Sequence, residues 1–483
     1  MKNINSYSIR LTDTNGVFND TLTLYRKAVM FFVEVINTEW DTFKDYKSPN
    51  DAVAPCEHMT VETKRSISPK YNFTTKFYKF PSYLRRAAIA EAFGMVKSYH
   101  SNLNNWINTP KSGRGKKPRL ADAADVFPCL YKGNCFVRTG EYTAKVKAYI
   151  RNTWDWVTVS LRKTDVDYIT RHCSLRKQLS PTLVKRHKVW ELVFPFEHTS
   201  TLPDTPIEEQ RIISVDMGLI NACTCSVMES DGTVVGRHFL KLSAEYDSLR
   251  HALNNIKFSQ QHGSRKMPRK WAKVRNINTD ISRKTANFIT NLAVQYNADA
   301  VVMERLNVRG KKKGGRKQRL HHWRCQYVQQ LVEHKCHSLG IRISHVCACN
   351  TSRLAFDGSG NVLRGKYSER TCGNYSLCEF SNGKLYNCDL NASYNIGARY
   401  YIREILRSIP EEVRLAAEAK VPSLLLRSTC CLSDLKGLCG CVNAFGMTLT
   451  ACSVGSVKLS DSHSRETITD DNTPVMAVGS TRL

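Results

Sequence analysis

The chain has 483 residues, and its 71 lysines and arginines against 43 acids give a formal net charge of +28. A hydrophobic content of 42% excludes general disorder, and this length carries two to four domains with ample core. The basic excess is far more than solubility requires and points to a polyanionic partner bound in a salt-dependent way. No apolar run approaches the roughly 20 residues of a membrane span, and the N terminus lacks a signal-peptide pattern. The expectation is a cytoplasmic protein with no membrane partner. Its 18 cysteines read as reduced thiols and candidate zinc ligands rather than as disulfides.

In chain order, residues 7–11 alternate like a single strand and Asn15-Gly16 turns the chain. From Asn19 or Asp20 as cap, Leu22, Tyr25, Val29, Phe32, Val33, Ile36 and Trp40 recur at helical spacing. A second long helix is expected from near Pro81, with Leu84, Ala88, Phe93, Val96, Leu103 and Trp106 on one side. These stripes read as core rather than base-stacking platforms. Arg85, Arg86 and Lys97 make the helical faces basic. A glycine-punctuated loop then carries Arg114, Lys116, Lys117 and Arg119, which read as phosphate-backbone contacts in preference to a solvated linker. Strand signals follow at 134–138, 145–151, 154–161 and 189–196. The alternation over 156–161 suits a barrel or a half-covered antiparallel sheet.

The second half opens on three strands, 211–219, 222–228 and 233–240, joined by a tight turn at 230–232. The first ends in Asp216, which on its own reads equally well as a turn-capping residue beside Gly218. Helical periodicity over 244–256 and 278–296 flanks a basic stretch holding Arg265, Lys266, Arg269, Lys270, Lys273 and Arg275. The short apolar run 299–306 carries Glu304 near its end. Lys311, Lys312, Lys313, Arg316, Lys317 and Arg319 then crowd around paired glycines, a stretch too charged to fold alone that is expected to order on RNA or DNA. His321 and His322 point apart on a helix and read as surface or phosphate contacts. A strand at 341–346 follows, and Asp389 stands at the start of a last helix with Ile396, Tyr400, Ile402 and Ile405. Strand-end Asp, strand-end Glu and helix-start Asp, after a β-β-β-α opening, describe a ribonuclease-H-like core. Three converging carboxylates stay ionised in a dry site only with divalent cations between them, and all-oxygen ligands suit Mg2+ or Mn2+. Two such ions about 4 Å apart would clamp the attacking and leaving oxygens of a phosphodiester.

The segments VDMGL (215–219), VVMERLNVRG (301–310) and CDLNASYNIG (388–397) resemble the three RuvC motifs of TnpB proteins and of the compact type V CRISPR effectors. The resemblance implies an α/β multidomain, RNA-guided DNA endonuclease of the nucleoid with one RuvC site. Asp216, Glu304 and Asp389 would be its catalytic and metal-binding residues, its cofactors Mg2+ or Mn2+ (two ions) and a guide RNA, its target double-stranded DNA. Monomer and homodimer both stay open. The implied layout is a first wedge strand (1–18), an α-helical recognition lobe (19–125) and a β-rich wedge domain (126–206). The RNase H-like nuclease domain (207–346, then 388–408) is interrupted by a loop-rich, degenerate zinc-ribbon-like insert (347–387), and 409–483 is a disordered tail without a catalytic role. In the insert, Ala355 and Gly358 stand where the family has its first cysteine pair. Cys347, Cys349, Cys372 and Cys378, with Cys388 nearby, could supply four thiolates for Zn2+ only at irregular spacing, and a metal-free insert is the alternative. The rival functions are an RNA-guided binder that does not cut, an unguided transposon-associated nuclease and a non-enzymatic RNA-binding module.

Overall fold

The computed structural model describes residues 2–12, 14, 16–62, 68–218, 221–306, 323–426 and 428–445, which form two compact units that divide near residue 198. In the first unit, β1 (Lys2–Thr12) is followed by a helical block before β2 (Phe136–Arg138), β3 (Thr143–Ile150), β4 (Thr153–Leu161), β5 (Lys177–Gln178), β6 (Thr182–Arg186) and β7 (Val189–Thr199). The sheet order is β2-β3-β4-β1-β7-β5, with β6 also on β7, so the first strand of the chain lies mid-sheet. One face is apolar: Ala144, Val146 and Ala148 of β3 are buried while Lys145 between them is exposed.

The Asn19–Thr38 helix buries Leu22, Tyr25, Val29, Phe32, Val33 and Ile36 of the stripe expected from the sequence; Trp40, expected on it too, is half-buried at the start of the separate Trp40–Phe43 turn of helix. The Ser82–Asn108 helix buries Leu84, Ala88, Phe93 and Val96; Leu103 and Trp106, expected on the same stripe, are half-buried beyond the core. Helices and sheet, expected as separate domains, share one hydrophobic cluster.

The second unit is built on β8 (Arg211–Asp216), β9 (Cys223–Glu229), β10 (Val234–Leu240), β11 (Ala300–Arg305) and β12 (Arg342–Cys347). The order is β10-β9-β8-β11-β12. β8, β9 and β10 are antiparallel neighbours, whereas β11 runs parallel to both β8 and β12. Ile212, Ile213, Ser214 and Val215 are all buried, with no polar alternation, because both faces of the sheet are covered. On one face Ile213, Val215, Val301 and Met303 pack with Ala286 and Ile289 of the Pro268–Gln295 helix and Val328 and Val332 of the Cys325–Ser338 helix. On the other, Ile212, Met228, Ala300 and Val302 pack with the Cys388–Ser408 helix.

The segment expected as a loop-rich insert contains a three-stranded antiparallel sheet, β13 (Leu363–Arg364), β14 (Leu377–Glu379) and β15 (Leu385–Asn387). The tail expected to be disordered from 409 is corrected over its first part. Helices Glu411–Lys420 and Leu432–Ala444 are formed there, and Val413, Leu424, Leu435, Leu438 and Val442 are buried in the same cluster as β8 and β11. The reason is that Leu432, Leu435, Leu438 and Val442 carry a helical period which the surrounding Ser, Cys and Gly obscure. The remainder of that tail, 446–483, lies outside the described residues, as do Lys311, Lys312, Lys313, Arg316, Lys317, Arg319, His321 and His322.

Candidate active site

Strand register brings two of the three acids together. Val215 is paired with Met303 on the parallel neighbour, so Asp216 and Glu304, one residue on, stand level on adjacent strands and on the same face. That face also carries Ser214 and Ile212, and it is the one covered by the Cys388–Ser408 helix. Asp389 lies in the first turn of that helix. Ser393, one turn further, meets Ser226 of β9 through a 2.5 Å hydroxyl contact. Gly397 follows at the same helical interval, and a Cβ there would collide with Met228 and lie 3.2 Å from the Cβ of Ser214. The missing side chain lets the helix lie close on the sheet, which aims its Asp389 end at Asp216 and Glu304.

The surroundings hold each acid in place. Asn387 caps the helix, its Oδ1 accepting from the N–H groups of Asp389 and Leu390 at 3.0 Å each. Asn221 donates to Asp389 Oδ2 at 2.7 Å. The hairpin that supplies Asn221 needs Gly218, since a Cβ there would stand 2.9 Å from the Asn221 carbonyl. Glu304 Oε1 accepts from the Thr351 hydroxyl, and the Glu304 main-chain carbonyl accepts from Gln329 Nε2 at 2.6 Å. Burial, then the neighbouring Glu304 and Asp389, push the Asp216 carboxyl well above the ordinary aspartate range; Arg364 works the other way. Burial also raises Glu304, against the Thr351 hydroxyl and the Arg399 guanidinium, which favour its anion. Each of the three acids keeps partial exposure.

The donor chemistry fits a hard divalent cation. Three carboxylates share one end of the sheet, and two further oxygens near them, Asn221 Oδ1 and Thr224 Oγ1, are buried without a hydrogen-bond partner among the described residues. Thr224 is the register partner of Asp216. The acids do not form a preformed cage: among the described residues, no three His, Cys, Asp or Glu side chains converge closely enough to hold one ion.

The other predicted residues have different placements. Arg114 is turned inward, donating to the carbonyls of Ile107 and Thr109 at 2.7 and 3.0 Å and lying over the Trp106 ring. It closes the end of the Ser82–Asn108 helix, while Lys116, Lys117 and Arg119 stay exposed. Cys347, Cys349 and Cys372 are exposed and Cys378 is buried; they do not gather into a metal-holding group. An apolar cluster holds the insert instead. Ala355 is buried with Cys378, Phe380 and Cys388, and Phe356 packs edge-on against Phe380, Tyr386 and Tyr394. Cys378 Sγ donates to the Tyr386 carbonyl at 3.4 Å, and the neighbouring Cys378 and Arg364 hold the Cys388 thiol below its ordinary range.

Sequence reasoning missed Arg364, Asn221, Thr351 and Gln329. They are distant in sequence from the acids they serve, and no local pattern marks them.

Residues 5–150 match the Aq_aa04 family, which leaves all three acids outside the match. An uncharacterized protein aq_aa04 from Aquifex aeolicus (strain VF5) is 30% identical over 110 residues, 23% of this chain and 62% of that relative. The chain thus spans less than two thirds of the relative's length. Among solved structures, it is similar to a Cas12f1–sgRNA–target DNA complex (13% identity, TM-score 0.32, 81% of this chain and 98% of that one). It is also similar to the AacC2c1–sgRNA–extended non-target DNA ternary complex (10%, 0.43, 82% and 70%) and to a Cas12i(E894A)–crRNA–dsDNA complex (9%, 0.35, 89% and 61%). These likenesses are distant, and the site chemistry stands on the residues themselves.

Proposed function

We propose that the chain is an RNA-guided DNA endonuclease of the TnpB-like and type V effector kind, cutting at Asp216, Glu304 and Asp389. The observation that carries this reading is the register of β8 and β11, which sets Asp216 beside Glu304 under the helix end bearing Asp389. The strand order β10-β9-β8-β11-β12, antiparallel then parallel, supports a ribonuclease-H-like assignment for this unit. The three motif segments and the +28 charge support extending it to a guide RNA and a DNA target.

In this reading the three carboxylates hold Mg2+ or Mn2+. The ions, when bound, supply Lewis-acid stabilisation of charge developing on the phosphodiester. The chain's own residues orient the ligands: Asn221 fixes Asp389, Thr351 fixes Glu304, and Gln329 anchors the strand end. Arg364, within electrostatic reach of Asp216, adds positive potential where a phosphate would lie. The Cys388–Ser408 helix presents its N-terminal end to the same place, again favouring an anion.

The test is cleavage of a guide-matched duplex by protein purified with the RNA of its own locus, with and without Mg2+. A second reading, a guided binder that does not cut, draws on the lack of a preformed three-ligand cage among the described residues. Guide-dependent binding with no Mg2+-dependent cutting would favour it.

A further inference from the structure

We propose that Asn395 is a positioning residue: it fixes the loop 348–356, and through Thr351 in that loop it sets the orientation of Glu304. This rests on the reading of Glu304 as a metal ligand.

The loop leaves the end of β12 without regular structure, so its backbone groups need partners from elsewhere. The Cys388–Ser408 helix supplies them. Asn395, fully buried, donates from Nδ2 to the carbonyls of Thr351 and Leu354 at 3.0 and 2.9 Å. Its Oδ1 accepts from the Leu432 N–H at 3.2 Å. Asn391, one turn earlier and also fully buried, donates to the Leu354 carbonyl and accepts from the Phe356 N–H, both at 2.8 Å. Two amides at helical spacing thus grip three residues of one loop. The Leu432–Ala444 helix adds a grip from the other side, its Ser433 N–H donating to the Phe356 carbonyl at 2.9 Å.

Thr351 is itself almost fully buried, and its hydroxyl has one proton to give. It lies within reach of Glu304 Oε1 and, at 3.2 Å, of the Ala348 carbonyl. The carboxylate, as an anion, is the stronger acceptor. A hydroxyl held by a gripped backbone fixes which way the Glu304 carboxylate faces. An outer residue that orients a metal ligand commonly changes metal affinity by about 10- to 100-fold when lost.

The experiment titrates Mn2+ into the full chain, freed of co-purifying RNA, and reads free Mn2+ by electron paramagnetic resonance. Asp216→Asn defines the site-dependent binding. Asn395→Leu and Thr351→Val are expected to weaken that component at least about tenfold, and Thr351→Ser, which keeps the hydroxyl, to restore it. Thermal melts identify any variant that fails to fold; should Asn395→Leu do so, Asn395→Asp, of the same shape but with an acceptor oxygen in place of the donating Nδ2, takes its place beside the Thr351 pair. Wild-type binding that Asp216→Asn removes, but that either a folded Asn395→Leu or Thr351→Val leaves unchanged, would overturn the positioning role and leave the site reading standing. Wild-type protein without any Asp216-dependent Mn2+ binding would overturn both.

Discussion

Asn221 donates its side-chain amide to Asp389 Oδ2 at 2.7 Å, tying the hairpin that follows Asp216 to the helix that carries the third acid. The first and last motifs, some 170 residues apart in sequence (168 between this bonded pair), are thereby joined directly as well as through packing. A change on either side of that link should be felt at both.

Asp216→Ala is expected to lower the guided cleavage rate at least about a hundredfold, the scale on which losing one preorganised electrostatic group acts. Guide-dependent target binding should stay close to wild type, since it draws on other basic surfaces. Cleavage and filter-binding assays on one preparation read both quantities. A variant that cuts at near wild-type rate would remove Asp216 from the site.

Without divalent cations, stability should fall as pH rises. The folded Asp216 carboxyl is raised by burial and by Glu304 and Asp389, so between its unfolded and folded values the native state holds more protons. Stability then decreases with pH across that window, which begins at the ordinary aspartate range and extends upward. Asp216→Asn removes the charge and should raise the melting temperature at neutral pH in a chelator, with little change at acid pH. Melting curves from pH 4 to 8 check this; equal shifts at both ends would contradict it.

The elements most readable in the sequence were those whose burial pattern is local. The β-branched run 211–216 is the buried strand its composition implies, and the stripe Leu22, Tyr25, Val29, Phe32 falls where a period of 3.6 places it. Two kinds of feature were not readable. Arg114 reads as a phosphate contact from its basic, glycine-punctuated loop and the net charge, yet its Nε and Nη2 donate to carbonyls at a helix end and its guanidinium lies over the Trp106 ring. The contribution of Arg364 depends on where a two-residue strand folds back, and no local pattern encodes that. The helix at 432–444 lies between these cases: its leucine period is present but obscured by small polar residues.

Arg364→Ala is expected to reduce cleavage more than target binding. Its positive charge lies within electrostatic reach of Asp216 and of Cys388, next to Asp389. Lysine at 364 should recover only part of the loss, because a point charge lacks the planar set of donors. Rates at saturating target distinguish a chemical-step defect from weakened binding. Unchanged rates in Arg364→Ala would exclude Arg364 from the cutting step.

Gly397→Ala tests whether helix-to-sheet distance matters to the site. The added methyl would meet the side chain of Met228, fully buried on β9, and stand 3.2 Å from Ser214 Cβ on β8. Neither neighbour has room to withdraw, so overpacking should cost about 1–3 kcal/mol. The helix would move outward, and because Asp389 sits on the same face two turns earlier, it would carry that acid away from Asp216 and Glu304. Cleavage should therefore fall even at a temperature where the variant is fully folded. Met228→Ala in the same chain makes space for the methyl and should recover activity while adding its own cavity cost. Chemical denaturation measures the stability change and single-turnover cleavage the rate. A Gly397→Ala protein of wild-type stability and rate would show that the close approach of helix and sheet does not set the position of Asp389.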